Sequence, residues 1–199
     1  MLNYSRTFLL AALMGFSGLC ALHVVAQEST FELDPAKSQI EYSVSSTLHT
    51  VYGKFQIKSG TVHFNPGTGV ASGLILVDAT SGNSGNEGRD RKMHKEVLES
   101  DKFPDITFIP TKVTGQVSPE GDSSVQVEGT FRLHGSDHPI SVAIPLHVNQ
   151  GLVTANYRVV VPYVAWGLKN PSNFFLRVSD KVDVNVVAVG HLTQSVAQH

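Results

Sequence analysis

A chain of 199 residues with 15 Lys and Arg against 17 Asp and Glu has a net charge of −2 at pH 7 and no basic block. Proteins that bind nucleic acid concentrate positive charge on one surface, so this balance argues against a nucleic acid partner. The single cysteine, Cys20, precedes residue 27, so the rest of the chain could occupy an oxidising compartment without disulfides.

The first 26 residues have the features of a secretory signal peptide. Arg6 precedes an apolar run over residues 8–25, and Ala26 ends a stretch of small residues that suits cleavage. A retained membrane anchor is the first alternative, but the run is glycine-interrupted and short beside the ~20 residues that span a bilayer. A lipoprotein modified at Cys20 is the second, but Leu19 stands where a small residue is expected. We therefore expect cleavage near Ala26 and a periplasmic or secreted protein.

Residues 27–199 have the length of one domain with a sizeable core. Most of that length alternates apolar and polar residues, as half-buried β-strands do. The alternation predicts eight strands, at about residues 39–45, 54–64, 70–80, 104–117, 125–133, 140–148, 153–161 and 182–188. Within the second strand, Ser59-Gly60 suits either a tight hairpin or a kink in one long strand. We favour the kink, because long bent strands build a tall barrel.

One segment, residues 81–108, interrupts the β pattern with a short helix. Its first turn can be capped by Asn83, Ser84 or Asn86. Met93 and Val97 fall one helical turn apart and predict a face that is buried, together with Leu98, against a barrel mouth or a sheet end. The helix should stop near Ser100, because Pro104 cannot continue it.

The connections between strands indicate how the sheet is arranged. Short turns at 119–122, 136–139 and 149–151 make strands five to eight an antiparallel meander. A meander of eight strands usually closes, because closure removes the exposed edges of the sheet. We therefore predict an all-β fold, an eight-stranded antiparallel up-and-down β-barrel with one short α-helix between strands three and four.

Several short motifs occur in order along this pattern. They are Gly53-Lys54-Phe55, Ser59-Gly60-Thr61-Val62, Arg89-Asp90, Met93-His94, Val97-Leu98-Glu99-Ser100, Phe103-Pro104, Ile106-Thr107-Phe108, the run from Val127 to Gly135 with Pro139-Ile140, and Trp166-Gly167-Leu168. From about Phe31 to Leu192, this order resembles that of the YceI-like family, the lipid- or polyisoprenoid-binding proteins of bacterial envelopes. The resemblance implies a lipocalin-like barrel, which agrees with the fold predicted from the strands.

An eight-stranded barrel is wide enough either to be packed solid or to hold one slender ligand, and the strand pattern leaves both open. The resemblance implies an open lumen and an amphiphilic isoprenoid ligand, such as a polyprenyl chain or a quinone tail. The predicted lining is the inward-facing aromatic set Tyr42, Phe55, Phe64, Phe108, Phe131 and Tyr157, with Trp166, Phe174 and Phe175 near one opening. Taken singly, each of these residues is equally compatible with an ordinary core position.

The ligand chemistry favours a carrier or sequestering protein. A polyprenyl chain already lies in an apolar environment in a membrane, so transfer into an apolar lumen gains little free energy. Such a role is compatible with transient contact with a membrane surface. Specificity would come from polar contacts at the headgroup end, where Arg89, Arg91 and Lys92 are the candidates. The alternative is that Arg89 and Asp90 form structural pairs and caps.

Catalysis and metal binding find little support in the residues. Residues 27–199 contain no G-x-S-x-G motif and no cysteine, so we predict neither an enzyme nor a catalytic cofactor. His134 and His138 flank a turn that contains Asp137 but lack further ligands, so we expect solvated turn residues and no metal. The alternative function is a solid-cored envelope interaction module, whose loops 81–92 and 163–176 would dock another protein.

Overall fold

The computed structural model describes residues 28–195, which form one antiparallel sheet of nine strands. The strands are β1 (Glu28–Leu33), β2 (Gln39–Ser45), β3 (Thr50–Phe64), β4 (Ala71–Asn83), β5 (Asp105–Thr114), β6 (Gly121–Leu133), β7 (Ser136–Asn149), β8 (Leu152–Val161) and β9 (Val182–Ser195). Between β4 and β5 lies helix α1 (Glu87–Lys92), which continues as a π-helical turn (Met93–Val97). The predicted signal peptide lies outside the described residues.

The sheet closes into a barrel with eight strand positions. Strands β2 to β9 follow one another around it, and β9 pairs with β2 to complete the circle. The extra strand β1 continues the position of β2, because both lie between β3 and β9: Phe31 is opposite Val62 and Leu192, and Tyr42 is opposite Gly53 and Val184. The predicted closed antiparallel barrel, with its helix between the third and fourth barrel strands, is confirmed.

Two details differ between the sequence pattern and the strands. The pattern omitted β1, whose six residues include only two large apolar side chains, Phe31 and Leu33. Ser59-Gly60 lies inside the single long strand β3, as favoured from the sequence, and the pairing with β4 shifts register there. Such irregularities bend a strand, which lets the first half of β3 pair with β2 and the second half with β1.

Apolar side chains fill the barrel unevenly along its axis. The end that holds the β3–β4 turn is filled by Phe64, Val113 and Val125. The opposite end holds the β2–β3 hairpin, helix α1 with the π-helical turn, and the loop over residues 162–181 between β8 and β9. This arrangement separates a filled end from an end covered by three connecting segments.

The helical segment is attached to the barrel by local caps and by its apolar side chains. The side chain of Asn86, one of the three expected caps, accepts a hydrogen bond from the Arg89 amide. Val97 and Leu98 pack against the core cluster around Val77 and Ala79.

Within residues 28–195, no helix combines the length and the hydropathy that a membrane span requires.

Candidate functional site

The barrel encloses a cavity of about 570 Å³. Every strand contributes inward side chains to its wall, and nearly all of them are apolar. The aliphatic ones from the strands are Leu33, Ile40, Val44, Val51, Ile57, Ile75, Val77, Ile106, Val127, Leu133, Ile140, Val142, Ile144, Val159, Val161, Val182, Val184, Val186 and Ala188. Cavities of this size hold small organic ligands. The barrel is therefore not packed solid, and the solid-cored alternative loses its basis.

Strand alternation explains why the wall is apolar. On β8, Tyr157, Val159 and Val161 line the cavity, whereas Arg158 and Val160 face outward. Successive side chains of a strand point to opposite faces, so one apolar register is enough to line the lumen. The outward Arg158 pairs with Asp183 of β9 at 2.6 Å between Nη2 and Oδ1.

Five of the aromatic residues predicted to line the lumen do line the cavity. They are Tyr42, Phe55, Phe108, Phe131 and Tyr157. The ring centroids of Tyr42 and Phe55 lie 5.3 Å apart. Burial raises the pKa of Tyr157 to about 12 and, with a smaller contribution from the charge of Asp90, also raises the pKa of Tyr42. Ligand contact by these residues stays a prediction.

Phe64 and Trp166 do not belong to the wall, although both were predicted to. Phe64 has the inward register but lies at the filled end, where it packs against Val113 and Val125. Trp166 instead stacks on His138, with ring centroids 4.1 Å apart and planes 3° apart, and packs against Phe131. Alternation predicts which face a residue occupies, whereas these two placements depend on height along the barrel axis and on the path of a loop.

Phe174 and Phe175 are also outside the wall, because their side chains are 92% and 88% exposed. The Asn173 side chain accepts hydrogen bonds from the amides of Phe175 and Leu176, both at 2.9 Å. This turn directs the two phenyl rings outward, whereas Leu176 lines the cavity. A loop has no alternating register, so the sequence could not assign the faces of these residues.

The cavity opens at the end that carries the helix. His49 of the β2–β3 hairpin and Gly88 of α1 are exposed to solvent and also line the cavity. Pro171, Leu176 and Val178 complete this opening from the loop between β8 and β9. We call residues 45–51, 87–92 and 170–178 the mouth.

Two of the three predicted headgroup residues, Arg89 and Lys92, line the cavity at its mouth. Arg89 donates from Nε to Ser84 Oγ at 2.7 Å and from Nη2 to the Ser84 carbonyl at 2.9 Å. Lys92 Nζ donates to the Pro171 carbonyl at 3.1 Å. Arg91 is exposed and away from the wall. The hydrogen bonds of Arg89 and Lys92 therefore stabilise the mouth. For Arg89, this is the structural role given above as the alternative to headgroup binding.

Asp90 completes the structural role proposed for the Arg89-Asp90 pair. Its carboxylate accepts hydrogen bonds from both the amide and the hydroxyl of Ser84, the amide at 3.0 Å. Ser84 is thus hydrogen-bonded to both Arg89 and Asp90 of α1. These hydrogen bonds fix the loop before the helix beside the mouth.

Some wall residues were not anticipated from the sequence. Ser46 and His49 reach the cavity from the hairpin, and Met93, Val97 and Leu98 reach it from the helical segment. Ser46 continues the inward register of the strand before it, a signal that could have identified it. The helical residues were expected to be buried against a barrel mouth or a sheet end, and the position of the helix shows that it is the mouth.

The expectation that His134 and His138 are solvated turn residues is wrong. His134 Nε2 lies 2.8 Å from Glu99 Oε2, and its ring packs 4.5 Å from that of Phe103. Hydrogen bonds from Lys102 and then from His134 lower the pKa of the Glu99 carboxyl. The Nε2 atom of His138 is buried in the stack on Trp166. Both histidines pack on aromatic rings, because the helical segment and the loop after β8 cover this hairpin.

The described part of the chain contains no cluster of side chains suited to bind a metal ion. Within residues 28–195, no three His, Cys, Asp or Glu side chains lie close enough together to hold a metal ion. The lining of the cavity offers apolar contact along its length and hydrogen-bonding groups at its mouth.

A closed antiparallel barrel around an apolar cavity that is open at one end belongs to the class of eight-stranded barrels whose interior has room for one small ligand. The family model of the YceI-like domain matches residues 31–189, and the chain belongs to this family. Among curated relatives, a UPF0312 protein of Vibrio vulnificus is 28% identical over 134 residues, which cover 65% of this chain and 69% of the relative. A UPF0312 protein of a Shewanella species is 27% identical over 137 residues, or 67% and 70% of the two chains.

Solved structures of similar fold include three bacterial proteins. A polyisoprenoid-binding domain from Saccharophagus degradans aligns with a TM-score of 0.62 at 15% identity, over 85% of this chain and 99% of that one. BcnA from Burkholderia cenocepacia gives 0.62 at 16%, over 79% and 98%. A YceI protein from Campylobacter jejuni gives 0.51 at 15%, over 98% and 100%. At these identities the comparisons show a shared fold.

Proposed function

We propose that this protein binds an amphiphilic isoprenoid lipid, such as a polyprenyl chain or a quinone tail, in the barrel lumen. It would act in the periplasm, or as a secreted protein, as a carrier or sequestering protein. The observation that carries the proposal is the cavity of about 570 Å³ with its nearly all-apolar wall and its open mouth. The polyisoprenoid-binding domain from Saccharophagus degradans, which has a similar fold, supports the choice of an isoprenoid among apolar ligands.

The energetics of the wall suit reversible binding. Burial of an apolar chain gains about 0.8 kcal/mol for each CH₂ group removed from water, so about ten carbons supply about 8 kcal/mol. The same chain dissolved in a bilayer has already gained most of this free energy. The lumen and the membrane therefore compete on nearly equal terms, which is the balance that a carrier needs.

Polar groups at the mouth would orient such a ligand. Arg89 and Lys92 both line the cavity beside the exposed His49, while the interior beyond them is apolar. A hydrocarbon tail would lie along the barrel axis, and its polar end would stay at the mouth near these side chains. Because apolar walls discriminate poorly between chains, the mouth would supply most of the selectivity.

The direct test is to purify the full-length protein from its own cell envelope, extract it with organic solvent and identify the extract by mass spectrometry. We expect an isoprenoid lipid in stoichiometric amount. Recovery of no lipid from protein that remains folded, together with no binding of added prenols, would refute the proposed function.

A pair of neighbouring substitutions tests whether the ligand lies in the lumen. Val159 lines the cavity, whereas Val160, the next residue on β8, faces outward. We expect Val159→Phe to weaken lipid binding about tenfold, because the added ring displaces about two ligand carbons at about 0.8 kcal/mol each. Val160→Phe should leave binding unchanged. Equal affinities for the two variants, measured by titration with a fluorescent prenol, would place the ligand elsewhere.

A further inference from the structure

Three large apolar side chains are strongly exposed at the mouth. Phe174 and Phe175 are 92% and 88% exposed, and Leu48 at the tip of the β2–β3 hairpin is 77% exposed. We call these three residues the mouth patch. Exposed aromatic side chains that cluster together mark surfaces that contact another apolar phase.

Hydrogen bonds join the two segments that carry the patch. The Thr47 amide donates to the Arg177 carbonyl at 2.9 Å, and Ser46 forms a β-bridge with Val178. Leu48 therefore lies on a hairpin that is tied to the loop bearing the two phenylalanines. Val178 and Leu176 of this loop line the cavity, so the patch borders the opening directly.

The turn that presents the two rings is held by its own backbone. The Asn173 amide donates to the Leu176 carbonyl at 2.9 Å, and the Asn173 side chain accepts from two amides of the turn. The rings of Phe174 and Phe175 pack edge to face with centroids 5.2 Å apart. The exposure of these rings thus results from a hydrogen-bonded turn.

The charge around the patch differs from that of the rest of the protein. The three segments of the mouth contain four basic residues, Arg89, Arg91, Lys92 and Arg177, and two acidic ones, Glu87 and Asp90. The other described residues contain 10 basic and 15 acidic residues. The three segments of the mouth therefore carry a net positive charge on a negatively charged protein, which suits contact with anionic lipid headgroups.

We propose that the mouth patch docks on the surface of an anionic lipid bilayer, with Phe174, Phe175 and Leu48 inserted at the level of the headgroups. Aromatic and aliphatic side chains with adjacent cations are the combination that binds this interface. The cavity would then open towards the membrane, and a lipid tail could move between bilayer and lumen without crossing water. The purpose of docking rests on the proposed function, but the docking itself can be measured without any ligand.

The test is flotation of the processed protein, purified from its own cell envelope, with vesicles of phosphatidylethanolamine and phosphatidylglycerol, compared with vesicles of phosphatidylcholine alone. We expect binding to the anionic vesicles that weakens with added salt. The double variant Phe174→Ser, Phe175→Ser should lose about tenfold or more of this binding. Leu48→Ser, on the other segment, should reduce it as well. Val70→Ser is the matched control, because Val70 is 65% exposed at the opposite end of the barrel.

Three results would overturn the docking proposal. They are a wild-type protein that does not float, a double variant that floats as well as wild type, and a wild-type dimer that the double variant loses in sedimentation. The last result would mean that a second copy covers the patch.

Binding of geranylgeraniol in vesicle-free solution separates docking from the proposed function. We expect the double variant to keep this binding. Absence of this binding in wild type, together with no lipid in the envelope extract, would refute the lipid ligand and leave the flotation result standing.

Discussion

His94 links the helical segment to strand β4 through both of its ring nitrogens. Nε2 lies 2.8 Å from the Gly82 carbonyl, and Nδ1 lies 3.0 Å from Ser100 Oγ. A carbonyl oxygen can only accept, so Nε2 carries the proton, and in the neutral ring Nδ1 accepts from the Ser100 hydroxyl. One side chain therefore ties the residues before and after the helix and positions Met93 over the cavity.

The contribution of His94 can be measured directly. We expect His94→Ala to lower the free energy of unfolding by about 1–3 kcal/mol, because it leaves Gly82 and the buried Ser100 without these partners. Lys95→Ala, at the next and exposed position, should change it by less than about 0.5 kcal/mol. Urea denaturation of both variants checks this, and equal stabilities would show that the helix is held by its apolar contacts alone.

Tyr157 makes the stability of the folded protein depend on pH, because burial raises the pKa of its phenol to about 12. Above the ordinary tyrosine pKa of about 10, the unfolded chain ionises while the folded protein keeps the neutral phenol. The stability that this side chain contributes is thus fully present below about pH 10 and is lost as pH rises towards 12.

We therefore expect Tyr157→Phe to flatten the decline in thermal stability between about pH 10 and pH 12. Tyr52→Phe, at an exposed position, is the control and should leave the slope as in wild type. Melting temperatures recorded across this range decide the matter. Identical slopes for wild type and Tyr157→Phe would mean that water reaches the Tyr157 hydroxyl.

Among the strands, β2 and β3 show how one glycine shapes the cavity wall. Tyr42 lies opposite Gly53, and its ring covers that glycine so closely that an added Cβ would fall 2.3 Å from Tyr42 Cζ. An aromatic ring over a cross-strand glycine is a recognised stabilising pair. The position of the ring lets the Tyr42 hydroxyl reach Met93 Sδ at 3.4 Å, so this pair connects the sheet to the helical segment.

Substitution of this glycine should therefore disturb both the sheet and the mouth. We expect Gly53→Ala to destabilise the protein by about 1–3 kcal/mol, because the Tyr42 ring must leave its place. Gly88→Ala, in α1, is the control: its added Cβ would have no neighbour closer than 3.5 Å, and alanine favours the helix. Chemical denaturation of the two variants should give opposite signs, and a neutral Gly53→Ala would contradict the packing role of Tyr42.

At the scale of the whole molecule, the decisive feature is the asymmetry between the two ends of the barrel. Phe64, Val113 and Val125 fill one end, whereas the cavity opens at the other under the helix and the loop after β8. The two longest connections of the described chain, residues 84–104 and 162–181, lie around that opening. The opening of the cavity, the covering helix and the exposed mouth patch therefore lie at the same end of the barrel.

Closure of the sheet also depends on the whole molecule. β1 and β2 share one strand position, separated by a turn in which Ser38 Oγ donates to the Asp34 carbonyl at 2.8 Å and accepts from the Val189 amide at 3.0 Å. This arrangement pairs the two halves of β3 with two different strands. A barrel with long strands is thereby closed without an exposed edge along β9.

The amino-acid sequence by itself determined the family, the barrel, the place of the helix and the apolar register of the lumen. These follow from alternation and from local motifs, which depend on neighbouring residues only. Tertiary structure alone decided that Phe131 lines the cavity while Phe64 fills its floor, and that Phe174 and Phe175 face solvent. It also decided that Arg89 and Lys92, but not Arg91, line the mouth. The physical reason is that height along the barrel axis, and the direction of a loop side chain, depend on pairings between strands that are distant in the chain.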